Sequence, residues 1–265
     1  MLIDFHTHCF PDKLAVTAIP KLADIAKTEP YTNGTAADLI RKMDECGVER
    51  SVICNIATNP RQQEKVNNFA IELNLNPRFI SLGSVHPASD CVVSELKRLK
   101  DSGIKGIKLH PDYMGYTIDD KDFEPIFGEC SDLGLFVIIH AGFDVISPTL
   151  IHASPEKIRK VQDKFPELRL IAAHFGSNCM WDDVLRYLAG SRVYVDTSLP
   201  CGSQIEKPIA ERIIFEHDPE RILFGSDTPW GCPGQTYDFI ESLSISDEMK
   251  NRIYFKNALK LLGEE

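Results

Sequence analysis

Short apolar runs bounded by turn residues alternate along this chain with longer stretches whose apolar positions recur every three or four residues. Eight runs predict strands: Leu2–Phe5, Ser51–Asn55, Phe79–Val85, Ile104–Leu109, Leu135–Ile139, Leu168–Ala173, Arg192–Asp196 and Arg221–Ser226. Helical spacing falls between and after them, at Thr35–Cys46, Arg61–Leu75, Ser89–Asp101, Phe123–Leu133, Pro155–Phe165, Trp181–Ala189, Glu206–Glu216 and Asp247–Leu262. The strand runs are apolar at nearly every position, as a parallel sheet covered on both faces requires. Eight strand–helix units, with polar residues at the C-terminal end of nearly every strand, predict an α/β fold closed as a (β/α)8 TIM barrel rather than an open doubly wound sheet. One domain over residues 1–265 is expected. The long connection at Cys9–Gly34, with Pro11, Pro20 and Pro30, precedes the first regular helix and is expected to cover the barrel mouth.

Composition narrows the function. The 29 Lys and Arg against 39 Asp and Glu give a formal charge of −10. No basic block interrupts the acid surplus, which argues against nucleic acid as a partner. The apolar runs fall far short of the ~18 residues of a membrane span, so a soluble protein without membrane contact is expected. The start Met-Leu-Ile-Asp-Phe-His carries no secretory signal. Eight scattered cysteines with no C-x-x-C pair suit reduced thiols in a cytoplasm. Cys9, Cys179, Cys201 and Cys232 fall in rim loops and are read as small apolar fillers rather than nucleophiles. No Gly-x-Ser-x-Gly, P-loop or Gly-x-Gly-x-x-Gly motif occurs.

Six of the eight histidines, His6, His8, His86, His110, His140 and His174, lie at or just past a strand's C-terminal end. A single strand-end histidine is commonly a hydrogen-bonded structural residue, and His86 and His110 suit that role as well as a functional one. His6-Thr7-His8 differs, because residues two apart in a strand share a face and can offer two imidazoles to one ion. Asp4 has the same parity and is expected to support the pair. Val137-Ile138-Ile139-His140-Ala141-Gly142 and Ile171-Ala172-Ala173-His174-Phe175-Gly176 end alike, and Phe224-Gly225-Ser226-Asp227-Thr228-Pro229-Trp230 adds a carboxylate. His217, at a helix end, reads as a C-terminal charge partner, and His152 as a residue preceding a helix capped by Ser154.

Together with Gly106-Ile107-Lys108-Leu109-His110-Pro111, these motifs resemble, over essentially the whole chain, the amidohydrolase superfamily in its amidohydrolase-2 branch of metal-dependent hydrolases and related decarboxylases. The resemblance implies that His6, His8 and His140 bind one divalent ion, usually zinc, with manganese or iron as alternatives. Asp227 would sit beside it as ligand and proton acceptor, and His174 would be the base or would polarise the substrate. In some members the fourth-strand lysine is carbamylated and bridges two metals. Lys108 and His110 therefore read as either second-metal or substrate-binding residues, with one ion expected.

The chemistry expected is hydrolysis of an amide, ester or lactone in a small molecule by a metal-activated hydroxide. Lowering the pKa of a bound water from 15.7 to about 7 is worth roughly 12 kcal/mol. The alternative is non-oxidative decarboxylation, which needs cations for carboxylates; only Lys108 and Arg61 suggest themselves, and Arg61 reads better as a solvated first-turn residue. A non-enzymatic metal-binding barrel is disfavoured by the spare histidine at the rim. Tyr113, Phe143 and Trp230 are substrate-binding candidates on rim loops, with Met114, Tyr116, Asp144 and His152 nearby. A homodimer is the default assembly.

Overall fold

All eight strands form where the apolar runs place them: β1 (Ile3–Thr7), β2 (Arg50–Cys54), β3 (Phe79–Leu82), β4 (Gly106–Leu109), β5 (Phe136–Ile139), β6 (Leu170–Ala172), β7 (Tyr194–Asp196) and β8 (Ile222–Leu223). The structure, a computed structural model, describes residues 1–199 and 204–264; Cys201 lies outside them. Every ladder is parallel, in the orders β1-β2-β3 and β4-β5-β6-β7-β8. Single bridges join the two groups, Gly83 to Ile107 and Thr7 to Thr228. The seams are tight: Lys108 N donates to Gly83 O at 2.8 Å and Phe5 N to Phe224 O at 2.7 Å. The result is a closed TIM barrel.

Alternation along each strand divides the apolar residues into two layers. Ile3, Phe5, Val52, Ile80, Phe136, Ile138 and Ile171 form the barrel interior with Ala258, Leu261 and Leu262 of the C-terminal helix. Phe5 and Phe136, on well-separated strands, meet with ring centroids 5.5 Å apart. Their neighbours Ile53, Ile107, Leu109, Val137, Ile139 and Leu170 face outward and pack with helical residues such as Leu39, Leu96, Ile126 and Ile158. Both strand faces are thus dry, which is why the runs show no polar alternation.

Three elements depart from expectation. The Cys9–Gly34 connection contains a regular helix, Asp12–Ala26, with Pro20 inside it. Pro20 is solvent-exposed, so water can satisfy the carbonyl its ring leaves unpaired. Helix Pro233–Glu241 was not foreseen. The expected helix Asp247–Leu262 widens into a π turn at Arg252–Lys256. As expected, Ser154 caps helix Pro155–Lys164, accepting from Lys157 N. His217 is not a charge partner: it is buried, its Nε2 lies 2.8 Å from Val193 O, and burial lowers its pKa.

At Gly142 the chain takes φ +92°, and an added Cβ would lie 2.3 Å from the Asn178 backbone N and O. Gly142→Ala should therefore destabilise the fold by more than about 2 kcal/mol, read as a lower denaturant midpoint at unchanged slope; an unchanged midpoint would refute the close approach.

Candidate active site

The C-terminal ends of the strands surround a cavity of about 740 Å³, and His6, His8, Lys108, His110, His140 and Asp227 all line it. Their convergence starts with an irregularity in β1. Ile3 and Asp4 pair with Arg50 and Ser51, but Thr7 pairs with Ile53, so β1 carries one extra residue between Asp4 and Thr7. Such an insertion re-aims the residues after it. Ile3 and Phe5 point into the barrel, and His6 and His8 reach the mouth above them. The same slip corrects the expectation for Asp4, which bonds neither imidazole ring. Its carboxyl accepts from the backbone N of His6 at 3.2 Å and of Ser226 at 2.9 Å, and from Ser226 Oγ, pinning β1 to the end of β8. Burial pushes its pKa up to about 7.

Each imidazole is oriented from behind. His6 Nδ1 lies 2.8 Å from Asp196 Oδ2, and His8 Nδ1 lies 2.9 Å from Cys54 O. Those acceptors place the protons on Nδ1 and leave Nε2 of both rings as acceptors. Asp227 Oδ1 stands 3.4 Å from His6 Nε2 and 3.2 Å from His8 Nε2. Three acceptors converging in a buried place call for a cation, and these atoms meet the spacing of a metal-binding trio. Lys108 Nζ is 3.0 Å from His6 Nε2 and fully buried. Burial opposes ionisation of Asp227, yet its contacts with His8 and His6 and the nearby Lys108 hold its carboxyl below its ordinary pKa.

His140 lies beside this trio rather than in it. Its Nδ1 is 3.0 Å from His174 Nε2, and His174 Nδ1 faces Ser198 O at 3.3 Å and Ser198 Oγ at 3.0 Å. A proton on each Nδ1 satisfies the chain and leaves His140 Nε2 a bare acceptor. That atom is buried with no hydrogen-bond partner, which fits a metal-donor role. It belongs to a second trio with His110 and Asp144, where the two rings stack 4.1 Å apart and Asp144 Oδ2 is 3.3 Å from His140 Nε2. Burial pushes Asp144 up to about 6. Burial, together with neighbouring positive groups, depresses His6, His110, His140 and His174 well below 6.5.

His174 is buried among His6, His140 and Asp196 and does not line the cavity. Both His174 and Asp227 adopt φ +65°, a region that costs a non-glycine residue roughly 1–3 kcal/mol. Hydrogen bonds hold them there: His174 N donates to Asp196 Oδ1 at 3.1 Å and Asp227 N to His6 O at 2.8 Å.

Tyr113, Phe143 and Trp230 reach the cavity, with Tyr113 against His110 at 4.2 Å between ring centroids. Met114 packs in the outer core, Tyr116 packs on His86 and Phe123, and His152 bonds the Tyr116 carbonyl. Arg61 is exposed and outside the cavity, whereas Lys65, not foreseen, lines it. Asp196 and Ser198 were also missed, although Asp196 ends a predicted strand where the histidines end theirs. Burial pushes the thiols of Cys9 and Cys54 up to about 12, which keeps them protonated.

Histidines and carboxylates converging at the mouth of a closed barrel make a donor set that could hold a divalent ion. A model of the amidohydrolase family matches residues 3–263, and the chain belongs to that family. A 2-amino-3-carboxymuconate-6-semialdehyde decarboxylase of Dictyostelium discoideum is 40% identical over 240 residues, covering 74% of this chain and 65% of that protein. The 5-carboxyvanillate decarboxylase of Sphingomonas paucimobilis shares the fold with a TM-score of 0.72 at 17% identity, over 99% of this chain and 98% of that one. So does a dihydroxybenzoic acid decarboxylase from Polaromonas sp. JS666 with bound manganese and 2-nitroresorcinol, with a TM-score of 0.72 at 17% identity, over 99% and 96%. The 40% identity to a decarboxylase overturns the expectation of a hydrolase; the two solved structures bear on the fold alone. Among the described residues, no helix is long and apolar enough to cross a membrane.

Asp196→Asn should weaken divalent-ion binding about 10- to 100-fold, measured by calorimetry on chelator-treated protein; unchanged affinity would remove Asp196 from the support of His6. Acid should destabilise the ion-free chain. Histidines held neutral in the fold titrate near 6.5 when unfolded, so the stability they contribute is present above that pH and lost below it. Asp4 and Asp144 act oppositely, losing their contribution as pH rises through about 7 and about 6. With His86 and His217 also lowered and Asp112 also raised, six imidazoles stand against three carboxyls, so the thermal midpoint should fall by several degrees from pH 7 to pH 5, checked by circular dichroism; a rise would reverse the balance.

Proposed function

We propose that the chain is a metal-dependent, non-oxidative decarboxylase of a small carboxylated substrate, aromatic or muconate-like. The observation that carries this reading is the 40% identity to a decarboxylase, and the buried ammonium of Lys108 beside the His6–His8–Asp227 trio supports it. His6, His8 and Asp227 would hold the ion, with the bare Nε2 of His140 as a further donor. When bound, the ion would polarise a substrate oxygen as a Lewis acid. Zinc and manganese both suit three imidazoles and a carboxylate.

The chain's own groups supply the rest. Lys108 offers its ammonium to the departing carboxylate, in surroundings dry enough to strengthen that attraction. Lys65 supplies a second cation at the cavity, so the shortage of cations that favoured hydrolysis is eased. Asp227 is in reach of the cavity and carries the proton, taken from solvent or a substrate hydroxyl, to the carbon bearing the carboxylate. A C–H bond forms there as the C–C bond breaks, its electron pair restores the conjugated system, and carbon dioxide leaves. His174 acts through His140, fixing its tautomer.

Protein loaded with zinc or manganese should release labelled carbon dioxide from carboxyl-labelled hydroxybenzoates or muconate-like acids. Lys108→Met should lower that rate by about 30- to 1,000-fold, the equivalent of about 2–4 kcal/mol for unpairing a buried charge. Cleavage of lactones or amides with no carbon dioxide from any acid would overturn the reading.

A further inference from the structure

We propose that one wall of the cavity is a subsite for an extended apolar substituent, so that the substrate is a carboxylated ring or diene bearing an alkyl or aryl tail. This rests on the decarboxylase reading above. At about 740 Å³ the cavity holds more than a single carboxylated ring and falls within the range of sites that bury much larger ligands. Its lining is divided in chemistry. His6, His8, Lys108 and Asp227 make one part; Leu14, Leu22 and Ile25 of helix Asp12–Ala26, with Val66 and Phe69 of helix Gln63–Leu73, make another.

Spacings of eight and eleven residues put Leu14, Leu22 and Ile25 on one face of their helix. The residues that helix buries are others, Ala15 and Ile19. Leu14 stays 50% and Ile25 42% exposed although both line the cavity. The helix therefore has one broad apolar arc, of which Ala15 and Ile19 are packed on the protein while the Leu14–Ile25 edge is turned to the cavity, where an apolar group would release water from it. Lys65 is exposed on the same cavity, and its methylene stem is compatible with an apolar neighbour while its charge stays in water.

The test uses 4-alkyl-2-hydroxybenzoic acids from methyl to pentyl, with calorimetric binding to the manganese-loaded full chain and carbon dioxide release followed in parallel. Affinity should rise about fourfold per methylene, the equivalent of about 0.8 kcal/mol. Leu14→Ser/Ile25→Ser should flatten that dependence, and Leu22→Trp should weaken the longer acids more than the shorter. Affinity independent of length, or a length dependence that survives both variants, would overturn the subsite. A length dependence abolished by the variants, with no carbon dioxide from any acid, would support the subsite and count against decarboxylation alone.

Discussion

An imidazole offers a lone pair to a cation only when its other nitrogen carries the proton, and at this barrel mouth that requirement is met from behind each ring. Asp196 receives the proton side of His6, the Cys54 carbonyl that of His8, and a run through His174 to Ser198 that of His140. Remove those partners and the rings are free to turn or change tautomer, and the convergence with Asp227 loses its meaning. Asp196 is central because its two oxygens serve different strands: Oδ2 holds His6 on β1, while Oδ1 accepts the backbone N of His174 just past β6. A change there would reach both histidines together.

The barrel was legible in the sequence because burial on both faces leaves an unmistakable residue pattern, eight apolar runs that recur at similar intervals from the second onward. The site was legible by position, since strand ends in a closed parallel barrel share one rim. What parity could not supply was the extra residue in β1, which depends on pairing with β2 and which separates Asp4 from the histidine pair. Pro20 concealed a helix, because a proline on a solvated face costs less than the pattern suggests. Asp196 went unnoticed for lack of a flanking glycine or proline, although its place at the end of Tyr194-Val195-Asp196 matched that of His140. Lys65 lies on a helix, outside the strand-end pattern altogether.

Hydrolysis and decarboxylation ask for different things from nearly the same groups. Hydrolysis needs water held and activated at the reacting centre. Decarboxylation needs a carboxylate paired, water kept away from a carbon that must receive one proton, and a route for that proton. The sequence named Lys108 as a cation for carboxylates but offered no measure of its depth, and an ammonium fully buried against His6 is a strong local field. Added to burial, which is the larger cause, its effect lowers the neighbouring imidazoles further and helps to keep Asp227 ionised.

The helix inserted after β1 has a consequence for how this protein can change over time. The polar groups of the mouth are contributed by strand ends scattered from His6 to Asp227, each tied to partners on other strands, so almost any alteration disturbs several bonds. Leu14, Leu22 and Ile25 come from one contiguous stretch joined to the barrel by its two ends and by the Ala15–Ile19 strip. On the reading proposed here, divergence in that stretch would retune which tail the cavity accepts while the polar groups of the mouth stay as they are, giving a lineage two nearly independent heritable parts: one conservative, one free to drift.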